Sequence, residues 1–200
     1  MRQVTALQAP HLSFKPRLMD LLRPHFSKLQ TLDVHETVGF TSAMAQEVMS
    51  SCSFLTTFKG SPLMLPILSM ENLRVCLKLR VLLLEFRFDP STMGHVQPLV
   101  LDQLSKLSRL EELQVFSRRQ CQPEFEAFDL RLEYGLGKLS TLRLLRTFSF
   151  GVSKQKMREQ EVDWILDHWK SLDRIKGEIN CTLKEQLKQH GVSNKRHTSE

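Results

Sequence analysis

The sequence predicts an α/β repeat fold in which each repeat supplies one parallel strand and one helix-like segment. Three observations carry this expectation. Leucine is over-used while Tyr134 is the only tyrosine. A local pattern recurs: apolar, two others, apolar, one other, apolar. Its middle residues are Leu32, Phe58, Leu82, Leu113, Phe148 and Ile175, spaced 26, 24, 31, 35 and 27 residues apart.

Each occurrence reads as a strand. In Leu79-Arg80-Val81-Leu82-Leu83-Leu84, residues 82 and 84 share one strand face by the two-residue period, and residue 79 turns inward just before it. The pattern is clear at Leu29/Leu32/Val34, Leu110/Leu113/Val115 and Leu145/Phe148/Phe150. It weakens at Leu55/Phe58/Gly60 and Leu172/Ile175/Gly177, where glycine takes the last place. Leucine-rich repeats run about 20–29 residues, so the two longer spacings imply inserted loops.

Helix-like segments fall between these strands. Residues 41–49 carry Met44, Val48 and Met49, near helical spacing. Residues 100–107 carry Val100, Leu101, Leu104 and Leu107 on one face. Met157 to Lys170 holds the clearest stripe, Val162, Ile165, Leu166 and Trp169, with Trp164 at its edge. One strand plus one helix, about six times over, predicts an irregular leucine-rich-repeat solenoid with parallel strands on the concave side and helices on the convex side. Residues 1–23 are expected to be the remnant of an earlier repeat, with a helix at Leu18 to Leu22. Residues 24–182 form the repeat domain. Residues 183–200 form a short helix and a polar tail, disordered from Gly191 to Glu200.

Bulk properties narrow the function. The net charge is +6, with 10 Lys/Arg against 7 Asp/Glu in residues 1–100 and 18 against 15 in residues 101–200. An evenly spread excess is not the clustered footprint of a nucleic-acid binder, which stands as a minor alternative. The four cysteines, Cys52, Cys76, Cys121 and Cys181, show no metal-ligand spacing and read as reduced, mostly buried thiols. No signal-peptide core or membrane span stands out, so an intracellular protein, cytoplasmic or nuclear, is expected. No H-x-x-x-H, H-E-x-x-H or G-x-S-x-G motif occurs, and Gly135-Leu136-Gly137-Lys138 lacks the spacing of a phosphate loop. These readings point to no catalysis, no cofactor and no metal.

Three stretches resemble the repeat region of fungal F-box and leucine-rich-repeat proteins. They are Val75 to Leu82, Leu104 to Leu113, and Leu132 to Leu139 followed by Leu145 to Phe150 and the Trp164 helix. The resemblance implies the substrate-recognition part of an F-box-type ubiquitin-ligase receptor. In that family an N-terminal F-box docks the ligase adaptor, and the repeats hold a protein substrate. The first 24 residues are too few for a three-helix F-box, so an adaptor is expected as a partner only if an F-box lies upstream. Without it, a scaffold role with no ligase link is the alternative. The asparagine usual three residues after the last strand leucine is also missing: those positions are Thr37, Leu63, Arg87, Arg118, Ser153 and Asn180. Of these, Thr37, Ser153 and Asn180 can satisfy backbone groups at a turn.

Binding is expected on the outward strand residues. Alternation selects Asp33 and His35, Lys59 and Ser61, Leu83 and Glu85, Gln114 and Phe116, Ser149 and Gly151, and Lys176 and Glu178. Phe116 is the best single anchor among them, because aromatic residues dominate interface hot spots.

Overall fold

A computed structural model describes residues 4–10, 13–60, 63–64, 76–87, 91, 93–116, 129–155 and 157–195. The side chains of residues 63–64, 85–87, 93, 116, 151–154 and 195 are outside that description. In chain order the strands are β1 (Ala6–Gln8), β2 (Thr31–Asp33), β3 (Thr57–Lys59), β4 (Leu63–Met64), β5 (Val81–Arg87), β6 (Glu112–Phe116), β7 (Thr147–Lys154), β8 (Arg174–Glu178) and β9 (Ser193–Lys195). All pairs are parallel, and the strands lie side by side in chain order, with β4 pairing β5 off the main path. A sheet ordered this way advances one strand per crossover, so each element touches its sequence neighbours.

The register follows the sequence markers. Leu32 pairs with Phe58, Phe58 with Leu82, Leu82 with Leu113, Leu113 with Phe148, and Phe148 with Ile175. These side chains are wholly buried, as are Leu29, Leu55, Leu79, Leu110 and Leu145 before them. The pattern repeats in the backbone. The amides of Thr56 and Thr57 both donate to the Gln30 carbonyl at 2.8 and 3.0 Å, and those of Arg80 and Val81 donate likewise to Thr56. The same two-to-one arrangement recurs at Arg80, Glu111 and Arg146, so every crossover ends by meeting the previous one at the same place.

The glycines that weaken the pattern have a packing cause. A Cβ on Gly60 would meet the Phe58 ring at 3.1 Å and Leu84 at 3.2 Å. A Cβ on Gly177 would lie 2.1 Å from the Phe150 ring. In both places a ring already fills the volume that the missing side chain would take.

Helices α1 (Pro16–Leu22), α2 (Ser42–Ser51), α3 (Met93–Leu104), α4 (Glu159–His168) and α5 (Cys181–Gln189) fill the crossovers. Pro16 opens α1, where its missing amide costs nothing. Thr41 caps α2 by accepting from the Met44 amide at 3.3 Å. Ala45, Val48 and Met49 of α2, Leu101 and Leu104 of α3, and Val162 and Ile165 of α4 join the strand side chains in one apolar core. Among the described residues no helix is long and apolar enough to cross a membrane.

Within residues 1–23, expected to be the remnant of an earlier repeat, β1 pairs with β2, placing Leu7 opposite Leu32. Other sequence expectations need correction. Gly191 to Lys195 is ordered. There Val192 is buried, β9 pairs with β8, and Asn194 Nδ2 donates to the carbonyls of Ile175 and Gly177 at 3.3 and 3.4 Å. Residues 196–200 of the expected tail lie outside the described residues. The described part of the β6–β7 crossover holds no α-helix. It uses two 3-10 segments, Leu132–Tyr134 and Leu136–Thr141.

Trp164 and Trp169, five residues apart and so about 140° apart on an ideal helix, nevertheless bring their rings together edge to face, with centroids 5.6 Å apart. Trp169 lies beyond the end of α4 with φ −104° and ψ 65°, so helical spacing no longer fixes its direction. It is buried and donates from Nε1 to the Leu139 carbonyl at 3.0 Å.

Candidate functional site

Register turns the outward strand residues into rows. Asp33, Lys59, Leu83, Gln114, Ser149 and Lys176 stand opposite one another across six strands. Lys59, Leu83, Gln114 and Lys176 are half-buried, His35 is half-buried beyond this row, and Glu178 is exposed. Glu85 pairs with Phe116 in the backbone, but their side chains, the expected anchor included, lie outside the description, as does Ser61.

Two of the expected surface residues are buried. Asp33 is 7 % exposed because His35 Nδ1 and Lys59 Nζ close over it, the lysine at 3.2 Å from Oδ2. Burial pushes its carboxyl pKa up, but the hydrogen bonds and charges of His35 and Lys59 outweigh that and hold it below the ordinary value. Asp33 therefore stays ionised and presents little unpaired charge.

Ser149 has no exposed surface, and its hydroxyl has no hydrogen-bond partner among the described residues. Leaving such a group unsatisfied costs about 1–3 kcal/mol. It stands in register between Gln114 and Lys176, immediately before the register shift between β7 and β8.

A second row was missed by sequence reasoning. Thr31, Thr57, Val81, Glu112, Thr147 and Arg174 align just before the buried markers. The first five are half-buried and Arg174 is exposed. Stepping the same two-residue alternation backward by one place finds them. Glu112 accepts from Gln114 Nε2 at 2.7 Å, which joins the two rows on β6.

Of the expected turn residues, Thr37 satisfies a backbone carbonyl at its turn, and Asn180 serves a helix start. Thr37, buried, donates from Oγ1 to the Val34 carbonyl at 2.8 Å. Asn180 instead caps α5, accepting from the Thr182 amide at 3.2 Å. Ser153 has no described side chain.

At the strand starts, Arg80 grips Glu111 through two bonds of 2.8 Å, and Arg146 reaches Asp173 at 3.1 Å. These exposed, self-paired charges line a shallow polar depression with Leu144 and Ser171. Another depression, bordered by Ser140, Thr141, Arg143, Asp167, His168 and Lys170, lies where a 3-10 segment and α4 end. Cations there complement the negative ends of those segments.

Burial pushes the Cys52 and Cys76 thiols up to about 12, so both are poor nucleophiles, whereas Cys181 is exposed. Cys121 lies outside the described residues. Among the described residues no group of His, Cys, Asp or Glu is placed to hold a metal ion. No protein-family model matches the chain, and no curated protein matches it.

Proposed function

We propose that the chain is an irregular leucine-rich-repeat solenoid whose strand face binds another protein and performs no chemistry itself. The observation that carries this reading is the register. Six consecutive strands align two rows of polar and aliphatic side chains beside a buried apolar row. Such a face is broad and chemically mixed, as suits recognition of a folded or extended protein segment.

In the finer reading, the bound protein is a ubiquitin-ligase substrate, and an F-box joined to this chain recruits the adaptor. The resemblance at Leu132 to Phe150 and the tryptophan helix supports this reading; ubiquitin transfer would belong to other subunits.

Photo-crosslinking tests the face. A crosslinker at Gln114 on β6 should capture a specific cellular protein, and one at the exposed Asp163 on α4 should not. Equal capture from both positions would remove the strand face as the binding surface. Adaptor co-purification with the full-length protein tests the ligase link separately. A face-specific partner without adaptor leaves a scaffold.

A further inference from the structure

The two face rows differ in chemistry from one end to the other. At β2 and β3 the charges cancel, because Lys59 and His35 are committed to Asp33. Val81 and Leu83 make the middle, at β5, aliphatic. At β8, Arg174 and Lys176 stand two residues apart on the same face, and neither has an ion-pair partner among the described residues.

Their register neighbours on β7 are the hydroxyl residues Thr147 and Ser149, and Arg174 faces Ser193 on β9. No carboxylate stands opposite either cation in the sheet.

We infer that the strand face recognises an extended acidic segment of its partner, seating an aliphatic residue on Val81 and Leu83 and a pair of Asp or Glu carboxylates on Arg174 and Lys176. This rests on the protein-binding reading above and names the chemistry of the partner.

Geometry sets the spacing of the motif. Val81 to Arg174 and Leu83 to Lys176 each cross three strand intervals. At about 4.8 Å per interval that is about 14 Å, the span of about four residues of extended chain. The segment therefore runs across the strands with its acidic pair about four residues from its aliphatic anchor. Glu112, one strand from Val81, repels an acidic residue placed next to the anchor. That carboxylate, and Glu178 beyond Lys176, also weigh against a nucleic-acid strand, whose phosphates would have to pass them. Two cations match a short carboxylate pair better than a continuous polyanion.

The test uses fluorescence anisotropy of labelled peptides with the full chain. The probes carry leucine and a Glu-Glu pair four residues apart, the same pair adjacent to leucine, and a Gln-Gln version. A single-stranded oligonucleotide is the fourth probe. The spaced acidic peptide should bind at least tenfold more tightly than the other two peptides. The double substitution Arg174→Glu and Lys176→Glu should abolish that preference, with the double substitution Lys170→Glu and Lys188→Glu as a charge-matched control away from the face.

Equal binding of the acidic and Gln-Gln peptides overturns the inference even if the double variant fails to fold, since that comparison needs only the unaltered chain. Tighter binding of the oligonucleotide than of any peptide overturns it too. If Gln114 crosslinks a partner while acidic peptides show no preference, the inference fails and the binding face stands. If Gln114 and Asp163 crosslink alike, both fail.

Discussion

The crossover from β2 to β3 and the crossover from β6 to β7 solve the same problem with different materials. The first uses α2, whose Ala45, Val48 and Met49 are buried and whose start is capped by its own Thr41. Apolar side chains and a local cap close it. The second ends in two 3-10 segments that bury Leu136 and Leu139 but leave an irregular backbone, which neighbouring elements hold in place.

Gln97 of α3, wholly buried, donates to the carbonyls of Asp129 and Tyr134 at 2.7 and 3.0 Å. It also accepts from the Asp129 amide at 2.9 Å. From the other side, buried Glu161 of α4 accepts from the Leu132 amide at 3.3 Å and the Arg158 amide at 2.8 Å. Burial raises the Glu161 pKa, but these bonds and one from Gln160 prevail and keep it below the ordinary value, so it serves as a carboxylate. A repeat with irregular backbone has more buried amides and carbonyls to satisfy, and here adjacent repeats satisfy them.

The largest effect should be common to both regions, because the marker row is continuous. Phe58→Ala and Phe148→Ala should each lower the unfolding free energy by about 3–5 kcal/mol, read from denaturant melts. Clearly unequal costs would show that the two halves do not share one core.

A smaller effect should separate the regions. Gln97→Leu leaves two carbonyls and an amide unpaired, and should cost about 2–3 kcal/mol. Amide exchange should rise around residues 129–134 and stay unchanged in α2; a uniform rise would mean that Gln97 does not act locally. The smallest effect belongs to the regular crossover. Thr41→Ala should cost about 1 kcal/mol, confined to the first turn of α2. A loss as large as that for Gln97 would erase the distinction between a local cap and a tertiary one.

The regular part was legible because its signal is local. Leu29, Leu32 and Val34 mark a strand start by themselves, and each marker met the next in register. The β6–β7 crossover was not legible, since its hydrogen bonds join residues 29 to 37 positions apart. Nothing local marks Gln97 or Glu161 as buried; packing against the neighbouring crossover buries both. The face was partly legible. Alternation found Lys59, Leu83, Gln114 and Lys176, yet it placed Asp33 and Ser149 outside and omitted Val81 and Arg174.

The sequence by itself determined the six marker strands, their order of appearance and which residue of each faces the core, because two-residue alternation and leucine spacing are properties of the local chain. Only the tertiary structure decided that β1 and β9 extend the sheet, by pairing them with β2 and β8. It alone decided that Asp33 is spent on Lys59 and His35 while Arg174 and Lys176 have no ion-pair partner among the described residues. Charge pairing across strands depends on register between repeats, and no local pattern encodes that register.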